Sequence, residues 1–159
     1  MIRRRPRSVK SIRLSNFYIE FEISDDTQFR KLSDVFDALV AAKASDDWKD
    51  DSYWLAFFDD AAKGNFWWPT EAELKDWKRR WFSTPLETRW TDPSLQMKWH
   101  FGSLIEAFRD GDYVLLACRR TSDGHGRIEF DPRAWPYGGT GCMQWLAESF
   151  GHRVTDVRE

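Results

Sequence analysis

The first regular pattern in the chain is an alternation of apolar and polar residues. Every second residue from Phe17 to Ile23 is apolar, and glutamates stand at positions between them, as in a half-buried strand. The spacing then becomes helical: from Phe29 to Val40 apolar residues recur three or four positions apart, after Asp25 or Asp26, either of which can cap a helix. The pattern predicts a strand followed by an amphipathic helix.

The middle of the chain has short apolar runs. Residues 53–58 are too few and too evenly apolar for a helix and predict a strand, with 66–68 returning as a second strand. Apolar residues alternate again over 86–90 and 95–101, which is typical of a meander. A helix that begins at Asp92-Pro93 is an alternative, so 92–109 is either a strand followed by a helix or one long helix.

Capping signals mark further helices. Thr70 with Glu73, and Ser103 with Glu106, fit the capping box, in which a threonine or serine and a glutamate three residues later bond each other's backbone amides. The first helix ends before Pro85, and Gly111 lies just past the end of the second. A strand from 112, a hairpin loop at 121–126 and a returning strand follow. A helix after 138–141 and a last strand at 153–157 complete the prediction.

The order of these elements predicts the fold class. Strands outnumber helices and mostly follow one another through tight turns, so we expect a single α+β domain, with a mostly antiparallel sheet and about four helices packed on it. A chain of 159 residues suits one domain. We assign residues 9–159 to that domain and 1–8 to a flexible basic arm.

Charge is divided unevenly along the chain. The first thirteen residues hold six basic side chains and no acid, whereas the other 146 carry 18 bases and 26 acids. A body with a charge of −8 would repel a duplex, so duplex nucleic acid is not the expected partner. No apolar run approaches the ~20 residues that cross a bilayer, and the two cysteines have no disulfide-like or metal-like spacing. We therefore predict a cytoplasmic protein without metal or cofactor.

Aromatic residues are in surplus, and eight of the ten tryptophans lie between positions 48 and 99. Residues 46–60 contain six aspartates and one lysine among several aromatic rings. Tryptophan and tyrosine are enriched at interface hot spots, and acids steer a basic partner. We predict a non-catalytic, bacterial-type protein-binding module, similar in mode to an inhibitor or immunity protein, that uses Trp48, Asp50, Asp51, Tyr53, Trp54, Trp67 and Trp68. The rings could instead point into the core.

The alternative function is a small enzyme or ligand-binding protein. Gly139, Thr140 and Gly141 precede a helix, whose free amides could bind an anion. Cys142 follows and is the candidate nucleophile, because a helix N-terminus favours the thiolate. These glycines could equally serve a sharp turn, and the thiol could be a buried structural group.

Overall fold

Four antiparallel strands form one sheet in a computed structural model, which describes residues 16–159. Their spatial order is β2-β3-β1-β4, so β1 and β3 lie in the centre. The strands are β1 (Phe17–Glu22), β2 (Tyr113–Ser122), β3 (His125–Pro132) and β4 (Arg153–Arg158). The predicted arm of residues 1–8 lies outside the described residues.

One face of the sheet forms the core. Ile19 and Phe21 of β1 are fully buried, and Ile19 lies opposite Ile128 of β3. The alternation in the sequence therefore places these residues on the inner face, as predicted. Helices α1 (Asp26–Ser45) and α7 (Gly141–Ser149) pack against the sheet, and α6 (Phe101–Asp110) packs against α7.

Four further helices lie between α1 and α6. They are α2 (Asp51–Leu55), α3 (Asp60–Lys63), α4 (Glu71–Ser83) and α5 (Leu86–Arg89). With a 3-10 turn at Pro93–Leu95, the described residues thus contain seven α-helices rather than about four. The fold is a single α+β domain with an antiparallel sheet, which confirms the predicted class. Among residues 16–159, no helix has both the length and the apolar character needed to cross a bilayer.

Two predicted helix starts are confirmed in detail. The carboxylate of Asp25 accepts a hydrogen bond from the backbone amide of Gln28 at 2.9 Å, which caps α1. Thr70 and Glu73 form the complete capping box at the start of α4, with each side chain accepting from the other's backbone amide. These caps depend on neighbouring residues only, which is why the sequence was sufficient to predict them.

The strand predicted at 53–58 is wrong. The carboxylate of Asp50 accepts from the amide of Tyr53 and begins α2, which ends at Leu55. Trp54 of α2 is buried, and the turn after the helix, in which the amide of Phe58 donates to the carbonyl of Leu55, brings Phe58 into the core as well. The predicted strand at 66–68 is also absent: Trp67 makes only an isolated parallel bridge to His100.

The meander predicted over 86–101 is wrong as well. Leu86–Arg89 forms α5, and Asp92 caps only the short 3-10 turn, so the strand over 95–101 and the single long helix are both wrong. The helix of the first alternative for 92–109 is confirmed as α6, in which Leu104, Ile105 and Phe108 are buried. Helix α6 begins at Phe101 with His100 as its N-cap residue, so Ser103 lies inside the helix and the second capping box does not exist. Gly111 follows the end of α6, as predicted.

Candidate partner-binding surfaces

A half-buried lysine joins the end of α1 to the end of α6. Lys43 donates from Nζ to the backbone carbonyls of Phe108 and Gly111, at 2.7 and 2.8 Å. These carbonyls belong to the last turn of α6, where a cation is favourable. Burial lowers the pKa of Lys43, while the charges around it act in the opposite direction. The loop that follows α1 therefore leaves the helix beside α6.

An acidic surface covers this junction, and we call it the acidic face. It combines four carboxylates of the loop and the start of α2 with two from α6. All six residues are exposed. They are Asp46, Asp47, Asp50, Asp51, Glu106 and Asp110.

Only part of this charge is neutralised within the chain. Lys49 pairs with Asp47 at 2.8 Å, and Arg109 pairs with Asp110 at 3.0 Å. The hydrogen bond from Arg109 to Asp110 raises the pKa of Arg109, and the nearby charge of Glu106 adds to this. The other four carboxylates of the acidic face have no ion pair among residues 16–159, so they leave a net negative charge at the surface.

The carboxylate of Asp50 lies at the start of α2, and that of Asp51 lies at the start of α6. Hydrogen bonds from the hydroxyl of Ser52 and the amide of Tyr53 lower the pKa of Asp50, so it stays ionised at neutral pH. Asp51 lies against the first turn of α6, because a Cβ atom placed on Gly102 would be 3.3 Å from its Oδ2 atom. A carboxylate is favourable there since the helix N-terminus carries partial positive charge.

A groove of about 250 Å³ runs between the loop and α6. Trp48 and Asp51 line one side, and Glu106 and Arg109 line the other. Trp48 is half-buried, and its ring lies 5.8 Å from that of Trp54. The groove therefore offers a fixed aromatic surface beside carboxylates.

The structure places the predicted contact residues of this region in two layers. Tyr53 is 43% exposed and borders the acidic face, to which the exposed Asp50 and Asp51 belong. Trp54 is 1% exposed and donates from its indole nitrogen to the carbonyl of Lys49, so it lies beneath the surface. Trp54 thus supports the acidic face from below and is not available for contact with a partner.

Trp67 and Trp68 lie beside the start of α6 but point to different neighbours. The exposed ring of Trp68 stacks on Phe101, so it lies at the same end of α6 as Asp51. The half-buried ring of Trp67 packs instead against Trp77 of α4. Trp68 is therefore next to the acidic face, whereas Trp67 belongs to a second surface.

That second surface is a row of four indoles, which we call the aromatic row. Neighbouring ring centroids are separated by 5.8, 5.2 and 4.9 Å along Trp67, Trp77, Trp81 and Trp90. Arg89 lies over the ring of Trp81, with 5.3 Å between its Cζ atom and the centroid. The row holds α4 and α5 together in place of a conventional core.

The start of α7 is already engaged within the chain. Gly138 and Gly139 have φ values of 102° and 76°, which glycine adopts readily. Thr140 is buried, and its hydroxyl donates to the carboxylate of Glu159 at 2.7 Å while accepting from the side chain of Gln144. The carboxylate that reaches this helix start thus comes from the chain itself, which favours the turn interpretation over an external anion site.

Cys142 is buried, and its Sγ atom lies 3.2 Å from the hydroxyl of Tyr113. Burial raises the pKa of the Cys142 thiol despite the hydrogen bond with Tyr113. Burial also raises the pKa of Tyr113, so this phenol is a poor base at neutral pH. Activation of a nucleophile needs the opposite shift of the thiol pKa. The geometry therefore favours a structural thiol.

We expect Cys142 to react with iodoacetamide at pH 7.5 at least about tenfold more slowly in the folded protein than after denaturation, because the raised pKa and burial both suppress the thiolate. The measurement is mass spectrometry of a Cys118→Ser variant, which leaves one thiol. The same variant in guanidinium chloride is the control. A folded-state rate equal to or above the denatured rate would contradict a structural role.

No cluster of three or more histidine, cysteine or acidic side chains suited to a metal ion occurs within residues 16–159. The two cysteines are both free, and Cys118 is partly exposed. Burial raises its pKa to about 12.

Sequence reasoning missed the contributions of α6 to the acidic face and of α5 to the aromatic row. The sequence predicts a helix that carries Glu106 and Asp110, but nothing local indicates that this helix lies beside residues 46–51. Leu86 and Trp90 are spaced by four residues, which is a helical signal, but their alternation with Thr88 predicts a strand.

Comparison of the chain with protein-family models, curated proteins and solved structures finds no match. The functional conclusion therefore rests on the geometry of the two surfaces.

Proposed function

We propose that this protein is a non-catalytic protein-binding module that uses the acidic face to bind a basic surface of another protein. An inhibitor or immunity protein acts in this manner. The observation that carries the proposal is that Asp46, Asp50, Asp51 and Glu106 of the acidic face have no ion pair among residues 16–159, while Asp51 and Glu106 line the groove together with Trp48. The two free cysteines support a reducing compartment, the cytoplasm.

Carboxylates on the outer face of the sheet differ from those of the acidic face. Glu20 pairs with Arg127 at 2.6 Å, and Glu129 pairs with Arg119 at 2.7 Å. Their charges are compensated within the chain. Four carboxylates of the acidic face have no such pair among residues 16–159, which favours a partner that supplies cations.

The aromatic side chains make this surface suitable for a protein. Trp48 and Tyr53 present rings whose positions are restrained by the buried Trp54. A partner arginine can stack on such a ring while bonding a carboxylate, which combines cation–π and charge-assisted interactions. Rigid aromatic anchors surrounded by charges are typical of interface hot spots.

The test is selection of random displayed peptides on the immobilised protein. We expect enriched peptides to contain clustered arginine or lysine and to lose at least about tenfold in affinity for an Asp50→Asn/Asp51→Asn variant. Asparagine caps a helix as well as aspartate does, so the start of α2 is retained while the charge is removed.

An Asp37→Asn/Asp123→Asn variant is the matched control, since it removes two exposed aspartate charges outside the acidic face. Peptides should bind this control as well as they bind the original chain. Enriched peptides without basic residues, or peptides that bind the Asp50/Asp51 variant with undiminished affinity, would overturn the proposal.

A further inference from the structure

Exposed large apolar side chains are concentrated in one part of the structure. Of the nine found among the described residues, five lie between positions 68 and 97. Of residues 71–83, which form α4, none is buried. The helix therefore packs through the aromatic row on one side, and its other surface has no partner among residues 16–159.

Three of these side chains lie close together in sequence, at the end of α4 and along α5. Phe82 lies beside Arg89, which also contacts the Trp81 ring, and Trp81 packs on Trp90 at 4.9 Å. Leu86 precedes Trp90 by four residues, about one helical turn. We call Phe82, Leu86 and Trp90 the apolar patch.

The area of the apolar patch is comparable with that of the largest exposed apolar patch of a typical monomer, which is often functional. Phe82 is 74% and Trp90 is 70% exposed. An aromatic side chain buries about 150–250 Å² when it leaves water, so these two alone leave roughly 200–350 Å² open. With Leu86 and the neighbouring aliphatic stems, the patch reaches the size of the apolar centre of an interface that buries about 800 Å² on each partner.

Charge indicates what fits this patch. Residues 70–98 carry five acidic and six basic side chains, so the segment is nearly neutral, unlike the acidic face. The basic partner proposed for the acidic face would find no excess of carboxylates here. Two copies of this nearly neutral segment can approach without repulsion, and its rim offers both a cation at Lys78, one turn before Phe82, and an anion at Glu87, next to Leu86.

We propose that the apolar patch is a twofold interface between two copies of this chain. In such an interface the same surface contributes from both sides, so Phe82, Leu86 and Trp90 bury one another's exposed faces. The rims contribute opposite charges across the axis. The acidic face takes no part and stays open for its own partner in each copy.

Sedimentation equilibrium up to about 100 µM tests the proposal. We expect the purified protein to have twice the 18.9 kDa of one chain. Leu86→Asp and, separately, Phe82→Asp should each raise the dissociation constant of the dimer at least about tenfold, because they place charge in an apolar contact. Both positions are exposed, so the variants should fold, as circular dichroism would verify.

Leu116→Asp on the edge strand β2 is the matched control, since Leu116 is also exposed and the change in charge is identical. It should leave the dimer intact, as should Asp50→Asn/Asp51→Asn. A chain that remains monomeric over this concentration range overturns the proposal. A dimer that survives both patch variants, or assembly beyond a dimer, overturns it as well.

Discussion

Replacing Trp54 with alanine is expected to lower the free energy of unfolding by about 3–5 kcal/mol, the usual cost of truncating a large buried aromatic residue. The Trp54 ring contacts Tyr53 and Phe57 in addition to Trp48, and its N–H donates to the carbonyl of Lys49. The variant loses these contacts and leaves a cavity below the acidic face. Equilibrium unfolding in guanidinium chloride measures the loss.

Tyr53→Ala is the control for this prediction, because the neighbouring ring is 43% exposed. It should cost about 1 kcal/mol or less. Equal costs for the two variants, or a cost below about 1 kcal/mol for Trp54→Ala, would contradict the division of this region into a buried layer and a surface layer.

The second large effect is expected at the junction of α6 and β2. A Cβ atom on Gly111 would overlap the Cε1 and Cζ atoms of the Tyr113 ring. This ring is buried and held by Lys43 on one side and Cys142 on another, so it has little room to move. Gly111→Ala should therefore cost about 1–3 kcal/mol, as overpacking does. Thermal and denaturant unfolding measure it.

The backbone of Gly111 does not itself require glycine, since its φ is −62° and its ψ is 133°. The predicted cost is thus purely one of packing. Gly124→Ala is the matched control: a Cβ atom there meets no heavy atom within 4 Å. We expect this control to change stability by no more than about 0.5 kcal/mol. If Gly111→Ala were as stable as Gly124→Ala, the Tyr113 ring would have to shift at little cost in free energy, which would contradict the prediction.

Local signals were sufficient for the parts of the fold that local interactions determine. The alternation in β1, the cap of α1 by Asp25 and the capping box at Thr70 depend on residues within a few positions of one another, and all three are confirmed. The same holds for the hairpin between β2 and β3. These features fix the α+β class without any knowledge of tertiary contacts.

Short aromatic segments were misassigned for a physical reason. Runs such as 53–58 fit a strand or a helix equally well by periodicity, and the decision between them depends on packing. Here α2 buries Trp54, and the turn that follows it brings Phe58 into the same core. In 86–90 the alternation of Leu86, Thr88 and Trp90 conceals a helical spacing of four, and Trp90 packs on Trp81 of the preceding helix.

The candidate site was predictable in part. Asp50, Asp51, Tyr53 and Trp48 are close in sequence, and their acidic, aromatic character is visible without a structure. The contribution of α6 is not, because the hydrogen bond from Lys43 to Phe108 spans 65 positions. Tertiary contacts also determine which ring is buried: Trp54 is buried and Tyr53 is exposed, although the two are adjacent in the sequence.

The most direct test of the proposed function is an NMR titration of the ¹⁵N-labelled protein with an arginine-rich peptide. We expect the largest shift changes at the indole N–H of Trp48 and at the backbone amides of residues 46–53 and 106–110. They should disappear in the Asp50→Asn/Asp51→Asn variant and persist in Asp37→Asn/Asp123→Asn. Changes centred on the outer face of the sheet or on the apolar patch, or unaltered by the Asp50 and Asp51 substitutions, would contradict a binding role for the acidic face.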